Sequence, residues 1–106
     1  MRKTTVNRER PRLEDILQTL RVHLPELCQR YSVKSLGVFG SYVHGEQRKR
    51  SDLDILVEFE QVPTLFSMAA LQRDLSDLVG VKVDLVMRST LKPAIGKCIL
   101  SEVIYL

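Results

Sequence analysis

The order of apolar segments along the chain predicts an α/β (α+β) domain, a mixed β-sheet flanked by helices. Three observations carry this expectation. Two apolar stripes at spacings of three and four, across residues 13–27 and 65–79, mark amphipathic helices. Residues 52–59 and 81–87 instead alternate apolar and polar side chains, the period of a strand with two different faces. The resulting order is helix, strand, turn, strand, helix, strand, helix. Antiparallel hairpins alone do not account for it, so the sheet is expected to be mixed.

Taken in order, residues 1–10 are polar and aperiodic and read as a flexible basic tail, leaving 11–106 as the domain. Pro11 suits the first turn of a helix. Leu13, Ile16, Leu17, Leu20, Leu24 and Leu27 then form its buried stripe to about Arg30. Pro25 falls inside that pattern and predicts a kink or a split. Residues 35–39 are short, apolar and partly β-branched, a buried strand that runs into glycine. Gly40, Ser41 and Gly45 mark a turn, with a helical turn from Tyr42, and residues 46–51 form a polar, basic loop. In the next strand Leu53, Ile55, Val57 and Phe59 face one way, and Asp52, Asp54, Leu56 and Glu58 the other. Pro63 and Thr64 open a helix whose inner side carries Leu65, Met68, Ala69, Leu71, Leu75, Leu78 and Val79, and Gly80 stops it. In 81–87, Lys82, Asp84 and Val86 lie opposite Val81, Val83 and Leu85. A last helix is expected over 92–100, weakened by Gly96, and a final strand over 103–106. No internal repeat or low-complexity segment interrupts this order.

A chain of 106 residues is one domain, and its 44% hydrophobic and 27% charged composition is that of a soluble globular protein. The formal charge of +3 is concentrated. Arg2, Lys3, Arg8, Arg10 and Arg12 crowd the N-terminus, and Arg48, Lys49 and Arg50 form a short run. Such runs are usually solvated; the sharper reading is attraction for the phosphates of a nucleotide or of RNA. No aromatic residue is interleaved with the tail's arginines, so a stacking platform for single strands is not supported. Cys28 and Cys98 form no CxxC pair and have no histidine at zinc-finger spacing; they read as reduced core thiols of a cytoplasmic protein. No apolar run approaches the roughly 18 residues of a membrane span. The basic N-terminus lacks the apolar stretch of a signal peptide, and a transit peptide is a weaker alternative because of Glu9.

Asp52 and Asp54 are the chemically informative pair. At i and i+2 of a strand their carboxylates leave the same face, about 6.6 Å apart along the backbone. An apolar strand has no structural use for two carboxylates that repel each other. A hard divalent cation would offset the repulsion, and Mg²⁺ is usually held by one or two carboxylates together with substrate phosphates. Two such ions can clamp the attacking and leaving oxygens of a phosphoryl transfer. Gly40 and Ser41 follow the first strand directly, where backbone N–H groups and a hydroxyl can cradle phosphates. Asp84 lies on the polar face of a later strand. If that strand pairs beside residues 52–54, a third carboxylate joins the site and can accept the proton of an incoming hydroxyl. Each piece alone has a plain reading: a solvated strand end, an ordinary turn, a solvent-facing aspartate.

In combination they resemble a known signature. Gly37-Val38-Phe39-Gly40-Ser41, then ten residues, then Asp52-Leu53-Asp54 resembles the DNA polymerase beta-like nucleotidyltransferase superfamily. The run GVFGSYVHGEQRKRSDLDILVEF, with Gly45 and Ser51-Asp52, is similar to its minimal nucleotidyltransferase (MNT) group, as is the closing ILSEVIYL. The resemblance implies a nucleotidyltransferase fold and two metal-binding aspartates, Asp52 and Asp54, with Asp84 as the third. It implies that Gly40 and Ser41 contact the triphosphate, and it places His44, Gly45 and Arg48 beside the nucleotide. One departure stands out. Many members of the group carry Ala-Arg where this chain has Val43-His44, and an imidazole binds phosphate less well than a guanidinium and only when protonated. The plain alternative is that His44 is a surface residue of the loop.

The reaction implied is transfer of a nucleoside monophosphate from ATP with release of pyrophosphate, using two Mg²⁺ ions, with Mn²⁺ as the alternative metal. The chain has no room for an acceptor-binding domain, so the acceptor is expected on a partner. MNT proteins commonly act as antitoxins of HEPN-domain ribonucleases, transferring AMP to a tyrosine hydroxyl of the toxin. That is the leading expectation, with a hetero-oligomer of the two proteins. The alternatives are a binding module of the same fold that neutralises its partner without chemistry, and nucleotidyl transfer to RNA or to a small acceptor.

Overall fold

The computed structural model describes residues 11–46 and 52–106. Helix α1 spans Leu13–Tyr31, strand β1 Val33–Phe39, the single turn α2 Ser41–His44 and strand β2 Leu53–Phe59. Helix α3 spans Leu65–Val79 and β3 Val83–Met87; a 3₁₀ turn over Arg88–Thr90 leads to α4 at Pro93–Glu102 and β4 at Ile104–Tyr105. The sheet order is β3-β2-β1-β4. β1 is antiparallel to β2 and to β4, whereas β2 and β3 are parallel and joined through α3. The mixed sheet expected from the element order is present.

The apolar stripes do what their spacing predicts. Ile16, Leu17, Leu20 and Leu27 of α1 and Leu71, Leu75 and Val79 of α3 pack with Leu53, Ile55 and Val57 of β2 into one cluster. At about 2 kcal/mol for each fully buried aliphatic side chain, this cluster dominates the fold's stability. Leu56 and Phe39 are buried outside it. Gly37 lies where β1 meets the chain after α4: a Cβ there would come within 2.5 Å of Val103 Cγ2, so only glycine lets the C-terminal segment close on the sheet.

Several expectations need correction. α1 is not split at Pro25. The carbonyl left without a donor is that of Arg21; both residues are exposed, so water can serve it, and the stripe on the other side holds the helix together. The helix starts at Leu13 after Arg12, beyond Pro11, and ends at Tyr31, capped by Ser32, whose φ of 56° is left-handed. β1 begins at Val33, earlier than the apolar run suggested, because Val33 pairs with Phe59 across a register irregularity. Thr64 opens α3 as expected, as its N-cap, its hydroxyl accepting from the Ser67 amide at 3.0 Å. Leu65 and Ala69 are exposed, since the first turn of α3 overhangs the core. The alternating segments 52–59 and 81–87 and the final strand over 103–106 shorten to the spans above. Cys98 is exposed on α4 and is no core thiol; Cys28 is half-buried, and both are free. The basic tail and the run Arg48–Lys49–Arg50 lie outside the described residues. No described helix is long and apolar enough to cross a membrane.

Candidate active site

β1 runs out at Phe39 and the chain turns at Gly40, with φ 85° and ψ −152°. That conformation is closed to residues with a Cβ. A Cβ at Gly40 would also run into the Asp54 carboxylate. The turn winds up at once: the Val43 and His44 amides donate to the Gly40 carbonyl at 3.0 and 3.3 Å. Gly45, with φ 69°, ends it in a left-handed cap. Among the described residues no hydrogen bond engages the Ser41 hydroxyl or amide.

Register sets the carboxylates. Asp54 pairs with Phe39 on one side and with Asp84 on the other. Neighbouring strands lie about 4.8 Å apart, so Asp54 and Asp84 stand side by side on one rung of a parallel ladder. Two hydrogen bonds pin that register at its start. Leu53 N–H donates to the Lys82 carbonyl at 2.8 Å, and Val83 N–H donates to the Ser76 hydroxyl of α3 at 3.0 Å. Asp52 immediately precedes β2, two residues before Asp54 and on the same side.

The crowding is visible in the protonation equilibrium. The Asp54 carboxyl is pushed up to about 6, first by burial and then by the negative charges of Asp84, Asp52 and Glu102. The structure thus brings together the three aspartates singled out from the sequence and adds a fourth carboxylate, Glu102, at the end of α4. Glu102 accepts the Gly40 amide at 2.8 Å through Oε2 and meets His44 Nε2 at 2.9 Å through Oε1. Glu102 lies in the closing run ILSEVIYL, where periodicity and spacing do not mark it as a site residue. The available signal was a lone acidic residue in an otherwise apolar or hydroxylic C-terminal run.

The donor set is all oxygen and anionic, which suits a hard divalent cation such as Mg²⁺ or Mn²⁺. Among the described residues no three carboxylate, imidazole or thiolate groups converge tightly enough to ring an ion. The arrangement therefore fits cations held by one or two aspartates and completed by substrate phosphates, not a closed protein cage. His44 turns to Glu102, whose carboxylate raises the imidazole's pKa. Gly45 serves the turn, and Arg48 lies outside the described residues. Glu58 is at the far end of β2, bonded to Ser35 and 3.5 Å from Arg88. A cleft of about 440 Å³ opens at that end, lined by residues 57–63 and 87–89, and none of the four clustered carboxylates reaches it.

Residues 20–106 match the family described as the nucleotidyltransferase domain. The chain belongs to this family. It is 50% identical over 93 residues to "Protein adenylyltransferase MntA" of Thermococcus cleftensis, covering 88% of this chain and 94% of the relative. A solved chain provisionally described as a minimal nucleotidyltransferase superposes with a TM-score of 0.76 at 41% identity, covering 91% of this chain and 97% of that one. A more distant likeness, TM-score 0.61 at 16% identity, is to a chain from a complex described as a tri-AMPylated HEPN toxin of Shewanella oneidensis with an MNT antitoxin. It covers 85% of this chain and 70% of that one, and it shows the shared nucleotidyltransferase fold alone.

Proposed function

We propose that this chain is an antitoxin-type protein adenylyltransferase that transfers AMP from ATP to a tyrosine hydroxyl of a HEPN-family ribonuclease, neutralising it. The observation that carries the reading is Asp54 in register between the Gly40 turn and Asp84, which sets a phosphate-binding turn against an acidic cluster. The 50% identity to a protein adenylyltransferase over most of both chains supports the reaction type. The complex of an AMPylated HEPN toxin with an MNT antitoxin supports the partner. Exposed apolar side chains at Val62, Leu65 and Phe66 give a protein partner something to cover.

In this reading Asp52 and Asp54 hold two divalent cations, Mg²⁺ or Mn²⁺, against the triphosphate. Bound there, the metals supply positive charge to the phosphates and to the leaving pyrophosphate. Ser41 binds the triphosphate through its amide and hydroxyl, Gly40 lets the phosphate approach the backbone closely because it has no side chain, and His44, Gly45 and Arg48 are further contacts to the nucleotide. Asp84, exposed at the edge of the cluster, accepts the proton of the tyrosine hydroxyl. The tyrosine oxygen forms a bond to the α-phosphorus, the bond from that phosphorus to the bridging oxygen breaks, and pyrophosphate leaves. Positioning and charge, more than covalent participation, account for the rate.

Incubation of the partner with this protein, ATP and Mg²⁺, followed by mass spectrometry, tests the reading. The partner should gain the mass of an adenylate, and Asp52→Asn should abolish the gain. Neutralisation of the partner by Asp52→Asn would instead indicate a binding module, and labelling of RNA without any protein partner would point to the other acceptor class.

A further inference from the structure

Glu102 is the one carboxylate of the cluster that the reaction above leaves without a task. It lies beyond both aspartate strands, at the last residue of α4, and its two oxygens are used separately. Oε2 takes the Gly40 amide at 2.8 Å and Oε1 meets His44 Nε2 at 2.9 Å. Gly40 is the N-cap and His44 the last residue of the α2 turn. A single carboxylate therefore grips both ends of the turn that carries Ser41.

The grip is anchored from behind. β4 pairs antiparallel with β1 through Val38↔Ile104 and Gly37↔Tyr105, and the Leu106 amide donates to the Leu36 carbonyl at 3.0 Å. Continuing that ladder by two residues brings Glu102 opposite Gly40. Val103, the next residue, is lodged over Gly37, where no side chain competes for the space. Glu102 is thus set by the same strand whose end it holds. The acid is kept below the ordinary glutamate range, first by the His44 hydrogen bond and then by the Gly40 amide, so it is ionised at neutral pH. An anion beside a phosphate-binding turn repels the ligand unless its charge is matched. A protonated His44, favoured by this same pairing, supplies the match.

We propose that Glu102 is a positioning residue for the nucleoside triphosphate: by holding the Gly40 amide and the His44 imidazole together, it fixes the α2 turn in the shape that offers Ser41 to a phosphate. This rests on the nucleotidyltransferase reading above. A residue that merely stabilised the fold would change melting temperature without changing nucleotide affinity in the folded protein.

Titration calorimetry of the full chain with MgATP decides. Glu102→Ala should weaken binding about tenfold, the scale of one charge-assisted hydrogen bond lost. Glu102→Gln, whose amide can still accept from Gly40 and donate to a neutral His44, should stay within about threefold of wild type. With a partner and saturating ATP, the kcat of Glu102→Ala should stay within about threefold, so that the loss appears in KM. A loss below about threefold in Glu102→Ala, or a Gln variant as weak as the Ala variant, overturns the proposal while leaving the nucleotidyltransferase reading in place. If Glu102→Ala does not fold, Glu102→Asp takes its place. One methylene shorter, it cannot span both donors, so its affinity should fall by at least about threefold, and unchanged affinity overturns the proposal. Wild-type protein that binds no MgATP overturns the proposal and the underlying reading together, an outcome visible before any variant is made.

Discussion

The carboxylate of Asp54 occupies the space that a Cβ on Gly40 would need. Asp54 lies on β2 and Gly40 in the turn that follows β1, and the contact is possible only because Gly40 has a positive φ and no side chain. Gly40→Ala should therefore do two things. It should destabilise the fold by about 1–3 kcal/mol through backbone strain, read by urea denaturation. It should also cut partner labelling about 100-fold, because the turn and Asp54 are displaced together. A Gly40→Ala variant with normal labelling would disconnect the turn from the chemistry.

Asp54 is costly to the apo fold. Its folded-state pKa of about 6 lies above the ordinary carboxylate value of 3.8. Between these values the native state binds more protons than the unfolded one, so stability falls as pH rises through that window. Asp54→Asn should be more stable than wild type at pH 7.5 in the presence of EDTA, by up to about 3 kcal/mol, with the difference fading towards pH 4. The same variant should label no partner. Equal stability of the two proteins across this range would contradict the acidic crowding.

Divalent cations should reverse that cost. Mg²⁺ at ten times its dissociation constant should stabilise the wild type by about 1.4 kcal/mol, a rise of several degrees in Tm for a domain of this size. Asp54→Asn should gain little. Removal of the ion with EDTA should return the wild type to its lower Tm, which differential scanning fluorimetry can follow.

The His44–Glu102 pair has its own pH window. Glu102 raises the His44 pKa, so that half of the stabilisation is complete below the unfolded value of 6.5 and is lost as pH rises through the higher folded value. The Glu102 pKa is lowered, so its half is present above 4.5 and is lost as pH falls through the lower folded value. NMR titration should find His44 above 6.5 in the wild type and moved back towards it in Glu102→Gln. No movement in the variant would show that the pairing does not persist in solution.

Away from the site, the Tyr31 hydroxyl donates to Asp74, joining the end of α1 to α3. Burial is the main reason its phenol titrates above the ordinary range. Tyr31→Phe should cost about 1–2 kcal/mol by urea denaturation with MgATP affinity unchanged. A neutral effect on stability would mean that solvent replaces the bond at no net cost.

Much of the fold was legible in the chain. The two leucine stripes named α1 and α3, and alternation named β2 and β3, because periodicity follows directly from which face is buried. Boundaries were less legible. Val33 joins β1 only because Phe59 lies opposite, and Pro25 is tolerated only because Arg21 and Pro25 both face solvent. The inward side of α3 was overdrawn at Leu65, since the reach of the core depends on what lies beneath each turn.

By itself the sequence determined the pieces of the site: Gly40-Ser41 after a strand, two aspartates on one face of the next, and Asp84 on the polar face of a third. These are local facts of spacing and strand geometry. Only the tertiary structure decided that β3 runs parallel beside β2 with Asp84 level with Asp54, and that the C-terminal segment folds back along β1. Nothing within 62 residues of Gly40 announces that Glu102 will hold its amide. Long-range pairing is a property of the whole sheet's register, and only that register could add a fourth carboxylate to the three aspartates.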